Sequence, residues 1–270
     1  MTLLTTNSTQ RVVVVTGGAD GFGAAIVDRF SRQNSKVIFI DLNEDRGEQK
    51  AKGDDNLYFI CGDVTRRETW ENSLEVARSK FGRVDVVVNN AGITYDPSVR
   101  EKPHVSEAKY LMGYQPVHTK PMEQYDKIFN VNLKPIFLSA QVMCPFMLEQ
   151  GNGAFINITS TGCTRPRPGF AFYNASKAAV EIATKTMALE YAPTIRFNCI
   201  CPAVGNTTML QASIGKGTEA KEKLRRIEEM LPMGRVTEPE DIANAAWFLG
   251  SEQSSFMTGA TVAVDGGRGV

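Results

Sequence analysis

Two hydrophobic periods alternate along this chain. Arg11 is followed by Val12-Val13-Val14-Val15, an unbroken apolar run of the kind found in a strand buried on both faces. A glycine-rich turn comes next, Thr16-Gly17-Gly18-Ala19-Asp20-Gly21-Phe22-Gly23, and then Ala24, Ala25, Ile26, Val27 and Phe30 recur at helical spacing. The same alternation continues to the end. Strands are expected over 11–16, 36–41, 57–62, 84–89, 153–159, 195–201 and 260–264, with helical patterns at about 21–33, 66–81, 122–149, 174–191 and 238–250. Strands interleaved with helices imply a parallel sheet covered on both faces, with the functional site at the carboxyl ends of its strands.

Two segments break the rhythm. Residues 94–121 form a long connection carrying Pro97, Pro103, Pro116 and Pro121, and residues 204–233 form a charged, helical excursion. Loops of that length in a compact domain are usually functional. For the first, a role in a pocket or subunit contact and a plain surface insertion both remain open. No domain boundary is visible, so a single domain over 11–270 is expected after a flexible extension over 1–10.

Charge narrows the function classes. The 30 basic and 30 acidic residues cancel, leaving no global field to recruit nucleic acid or an anionic membrane. The first ten residues lack the basic start and apolar core of a signal peptide. No apolar run is expected to approach membrane-spanning length. The five cysteines are scattered and lack metal-ligand spacing, which suits core packing in a reduced, cytoplasmic compartment. Sequons at Asn157 and Asn174 fall in an expected strand and beside a candidate catalytic residue, so glycosylation there is a poor reading.

The candidate chemistry begins with Tyr173-Asn-Ala-Ser-Lys177, preceded by Ser160 thirteen residues upstream of the tyrosine. A tyrosine and a lysine four apart on a helix share a face. The ammonium of Lys177 is then expected to favour the phenolate of Tyr173, a group with an ordinary pKa of about 10. The turn over Gly17, Asp20, Gly21, Phe22 and Gly23 sits between strand and helix, the context in which glycines let a pyrophosphate approach backbone N–H groups. Its spacing differs from GxGxxG. Asp41 closes the second strand about twenty residues on, where a carboxylate accepts from the ribose hydroxyls of NAD and repels the extra phosphate of NADP. Arg46 is a candidate phosphate partner, better read as a solvated residue on the following helix. His104 and His118 lack a third ligand at convincing spacing, so no metal is expected. Arg165 and Arg167 either bind an anionic substrate or point to solvent from a proline-flanked loop. Phe170, Phe172, Ile93 and Tyr95 either line an apolar pocket or pack the core.

Together these motifs resemble the short-chain dehydrogenase/reductase family, over about Arg11 to Gly267. The markers are the TGGADGFG turn, Asp63-Val64, Asn89-Asn90-Ala91-Gly92, Asn132, Ser160, Tyr173 with Lys177, and Asp265-Gly266-Gly267. The resemblance implies a single-domain, Rossmann-type, doubly wound α/β fold with a seven-stranded parallel sheet. It implies NAD, in preference to NADP, held by the glycine turn, Asp41, Asp63, Val64, Asn90, Ala91, Gly92, Pro202 and Thr207 as well as Tyr173 and Lys177. The family's usual Pro-Gly after the sixth strand is here Pro202-Ala203, which leaves only a weak expectation of Thr207 at the nicotinamide amide.

By the same resemblance, Tyr173 is the general acid/base for a secondary alcohol and its ketone. Ser160 places the substrate oxygen, Lys177 binds the nicotinamide ribose, and Asn132, which matches the motif better than the competing Asn130, sits at a helix kink supporting a water-mediated proton relay. Pro135, which lacks an N–H, is consistent with distortion there. Residues 204–233 become a substrate lid, and the two long helices become interfaces of a tetramer rather than a dimer. A non-catalytic NAD(H)-sensing regulator is the alternative from another class, although it has no use for a proton-transfer tyrosine. A sugar-nucleotide epimerase needs further C-terminal structure.

Overall fold

In the computed structural model, which describes residues 10–95 and 116–270, the apolar runs form seven parallel strands. They are β1 (Val12–Thr16), β2 (Lys36–Asp41), β3 (Leu57–Cys61), β4 (Val86–Asn89), β5 (Gly153–Ile158), β6 (Ile195–Pro202) and β7 (Thr261–Val264). The sheet order is β3-β2-β1-β4-β5-β6-β7. The progression reverses between β1 and β4, which opens a crevice at their carboxyl ends.

Alternate side chains of each strand feed two cores. Val12 and Val14 of β1 join Ile38, Val87, Phe155 and Phe197 on one face. There they meet α3 (Arg67–Phe81), α5 (Lys134–Gln150) and α6 (Ala171–Tyr191) through Trp70, Met143 and Val180. Val13 and Val15 join Val37, Phe39 and Val88 on the other, under α1 (Gly21–Arg32) and α9 (Pro239–Leu249) through Phe30 and Ala246. Full burial of such a side chain contributes about 1.5–3 kcal/mol, so both layers hold the sheet beneath the loops at its carboxyl edge.

Several elements differ from expectation. The helix expected over 122–149 is two, α4 (Met122–Asn132) and α5, separated at Leu133 with φ −111° and ψ −48°. Pro135 removes the N–H that the Val131 carbonyl would need, so the expected distortion appears as a break. The stretch Met122–Gln150 is, against expectation, long and apolar enough to cross a membrane. Half of its most apolar window is buried within this protein, as core helices are. The helix expected from 174 starts at Ala171, which puts Tyr173 in its first turn. Between β2 and β3, α2 (Glu44–Ala51) buries only Gly47, so no apolar stripe defines its span.

The excursion after β6 contains α7 (Thr208–Ile214) and α8 (Thr218–Glu228). These close on a small core of their own built from Leu210, Ile214, Ala220, Ile227, Leu231 and Val236. Most of the extension over 1–10 and of the connection over 94–121, His104 included, lies outside the described residues.

Candidate active site

The glycine turn is shaped by its neighbours. Gly17 has φ +63°, and a Cβ on Gly23 would overlap the Gly17 carbonyl oxygen, so helix and turn approach more closely than any side chain permits. Asn90 fastens the turn to β4. Its Nδ2 donates to the carbonyls of Thr16 (2.9 Å) and Gly17 (3.2 Å). Thr16 Oγ1 in return accepts from the N–H groups of Asn90 and Ala91, both at 3.0 Å. Asp20 caps α1 by accepting from Gly21 N at 2.7 Å.

That cap is not isolated. Arg46, exposed on α2 as expected, pairs with Asp20 at 2.5 Å. Thr208, at the start of α7, also donates to Asp20 (2.8 Å), and Thr207 packs against Gly21. The excursion therefore rests directly on the glycine turn. At the end of β2, Asp41 accepts from Ala19 N and Asn43 N, each at 3.0 Å. Asp63 accepts from Thr65 N at 2.8 Å, and Trp70 Nε1 donates to the Val64 carbonyl at 2.9 Å. Pro202 ends β6. These groups line one edge of the sheet, and the close glycine cradle fits a dinucleotide pyrophosphate.

Across the crevice the structure brings Lys177, Asn132 and Gly92 together. A Cβ on Gly92 would lie 3.2 Å from Lys177 Nζ and 3.3 Å from Asn132 Oδ1. Lys177 donates to the carbonyl of Ile158, the last residue of β5, at 2.9 Å. Asn132, at the end of α4, accepts from Ile93 N (2.8 Å) and donates to Ile93 O and Ser176 Oγ (both 3.0 Å). Ser176 Oγ donates onward to the Tyr173 carbonyl at 2.7 Å. Asn132 thus clamps the loop after β4 to the first turn of α6. Its side-chain amide is engaged with these partners.

Ser160 caps a short 3₁₀ turn by accepting from Gly162 N at 3.1 Å. Burial pushes the Tyr173 phenol up, and Ser160, whose hydroxyl acts on it, opposes that. Among the largest influences on the phenol, Arg167 is the cation that favours the phenolate. Burial also acts on Lys177, lowering its pKa to about 8.

This sets a measurable pH dependence. An unfolded lysine holds its proton to a pKa of about 10.4. Between pH 8 and that value the unfolded chain binds a proton the folded chain does not, so stability rises with pH through the window. Below pH 8 the cost of burying the ammonium is fully present. Relative to Lys177→Met, the cofactor-free wild type is expected to gain about 3 kcal/mol across the window in urea unfolding. An unchanged difference would show that the ammonium is not desolvated.

Sequence reasoning missed the roles of several supporting groups. Tyr95 Oη accepts from Phe172 N (3.0 Å) and Tyr173 N (3.5 Å), supplying the acceptor that α6 lacks at its start. Lys120 covers the Tyr95 ring at 3.1 Å from its centroid. Ser176 lay within the quoted motif but carried no signal of its own. Among the described residues there is no group of three metal-ligating side chains, and His118 is exposed. Arg165 is exposed, whereas Arg167 is half-buried.

Residues 17–268 match a family model described as enoyl-(acyl carrier protein) reductase. The chain is similar to a 4-formylbenzenesulfonate dehydrogenase of Comamonas testosteroni, 36% identical over 98% of this chain and 100% of that one. It is 35% identical to a 2,5-dichloro-2,5-cyclohexadiene-1,4-diol dehydrogenase of Sphingobium indicum, over 96% of each chain. Among solved structures it resembles the 3-ketoacyl-(acyl-carrier-protein) reductase of Brucella melitensis complexed with NADH. That likeness has a TM-score of 0.83 and 33% identity, covering 96% of this chain and 98% of the other.

Proposed function

Since the chain belongs to the short-chain dehydrogenase/reductase family, we propose that it interconverts a secondary alcohol and its ketone with NAD, using Tyr173 as general acid/base. The chain is an oxidoreductase of the short-chain type, and its relatives are named as dehydrogenases and reductases. The observation that carries the finer reading is the convergence of Lys177 and Asn132 on Gly92, with Ser160 acting on the buried Tyr173 phenol.

In oxidation, Ser160 holds the substrate oxygen and Tyr173 takes its proton; in reduction Tyr173 returns it. Nicotinamide, when bound, accepts or supplies the hydride. Lys177 keeps N–H groups for the nicotinamide ribose beyond the one given to Ile158. Asn132 acts as a positioning residue, holding Ile93 and the start of α6. The glycine turn and Asn90 to Gly92 would hold the dinucleotide, with Asp41 on its adenosine ribose. Thr207, packed on Gly21, would close over the pyrophosphate end. Self-association as a tetramer would cover Phe137, Leu148, Ile182 and Leu189, which α5 and α6 leave exposed.

The test is nicotinamide reduction across secondary alcohols, polyols, hydroxyacyl esters and cyclic alcohols, with NAD and NADP in parallel. Turnover with NAD is expected, and the responding class narrows the substrate. Tight NADH binding with no turnover of any alcohol or ketone would favour a non-catalytic sensor instead.

A further inference from the structure

Between Ser160 and Tyr173 the chain runs through Gly162-Cys-Thr-Arg-Pro-Arg-Pro-Gly169, and this loop is tied to the segment after β7. Arg165 Nη1 donates to the Arg268 carbonyl at 2.8 Å and to Val270 O at 3.3 Å. The segment also touches the end of the excursion, where Met233 N donates to Gly266 O at 3.1 Å and Pro232 packs on Gly267. Arg268 therefore stands where the Ser160–Tyr173 loop, the lid and the last strand converge.

Its side chain is 8% exposed, yet Nε and Nη1 have no hydrogen-bond partner among the described residues. The adjacent acid does not supply one. Asp265 accepts from Gly267 N (3.0 Å) and Gly269 N (2.8 Å). Arg167 lies within electrostatic reach of both Arg268 and Tyr173. A buried guanidinium with unused donors carries a desolvation cost that an oxyanion offsets. An oxyanion such as a carboxylate or sulfonate accepts charge-assisted hydrogen bonds from such donors.

We infer that Arg268 forms an anion-recognition subsite at the loop that leads from Ser160 to Tyr173, and that the substrate carries a carboxylate or sulfonate remote from its reacting carbon. The second half rests on the oxidoreductase reading. Arg165, spent on backbone carbonyls, is the strut that holds the loop against the C-terminal segment.

Calorimetry on the NADH-saturated protein tests this, with benzoate and benzenesulfonate compared against benzamide and benzenesulfonamide. The anions are expected to bind at least about tenfold more tightly, and Arg268→Met is expected to erase that preference. The same variant is expected to match or exceed the wild type in Tm, because an apolar side chain replaces an unpaired buried charge. A purely structural guanidinium gives the opposite pair of results, a lower Tm with the anion preference kept, and that overturns the subsite. Equal binding of anions and amides by the wild type also overturns it. These readouts need no turnover, so equal binding in a protein that oxidises neutral alcohols sinks the subsite alone. An anion preference in a protein that oxidises no alcohol supports the subsite and sinks the reaction instead.

Discussion

Tyr173→Phe is expected to lower kcat by about 10²–10⁴-fold, the contribution of one positioned general acid/base, while NADH affinity stays within a few-fold. The substitution removes one oxygen and little else. The ring packs edge-on against Phe170 at 6.2 Å, a contact phenylalanine keeps, and Ser160 is the side chain that acts most strongly on the lost hydroxyl. Folding and the cofactor cradle are therefore preserved, and the loss falls on proton transfer. Because burial holds the phenol above its ordinary pKa, oxidation by the wild type is expected to speed up with rising pH, as the phenolate becomes populated. Reduction is expected to show the opposite slope. Equal kcat for Tyr173→Phe and wild type would remove the tyrosine from the chemistry.

Asp41→Asn is expected to cut the preference for NAD over NADP by roughly 100-fold. The wild-type carboxylate sits at the end of β2 with bonds to Ala19 N and Asn43 N, and asparagine keeps an acceptor there while discarding the charge. A dianionic phosphate about 4 Å from that carboxylate, at an effective dielectric between water and the protein surface, costs about 3 kcal/mol. Arg46, on the helix that follows β2, is already paired with Asp20. The measurement is kcat/KM for both cofactors in both proteins. A wild-type preference for NADP, or an unaltered ratio in Asp41→Asn, would contradict the assignment.

Where the sequence was informative, local physics decided the outcome. Val12 to Val15 read as a buried strand because a parallel strand covered on both faces has no polar side, and all four are fully buried. Asp41 was legible because a strand end and a glycine turn stand at a fixed separation in this topology. The Tyr173–Lys177 spacing was legible as well, but its electrostatics were not. Lys177 donates to Ile158, nineteen residues away across the sheet edge, and no periodicity announces that bond. Arg46 looked solvated because α2 has no apolar face, and its partner Asp20 belongs to another element.

The break at Leu133 shows the intermediate case. Pro135 signalled a distortion, yet whether the helix would bend or divide depended on Asn132 being held by Ile93 and Ser176. Arg268 was silent altogether. A single arginine after the final strand carries no pattern, and its unpaired burial arises where the loop before Tyr173 and the end of the excursion after β6 meet the C-terminal segment.

The central claim is hydride transfer between a carbinol carbon and nicotinamide, with the proton passing through Tyr173. The most direct measurement supplies a secondary alcohol deuterated at the carbinol carbon, with NAD, and follows the label. The account predicts one deuterium in each NADH formed, and no labelled NADH from Tyr173→Phe on the same timescale. NADH that carries no label from any secondary alcohol would contradict it.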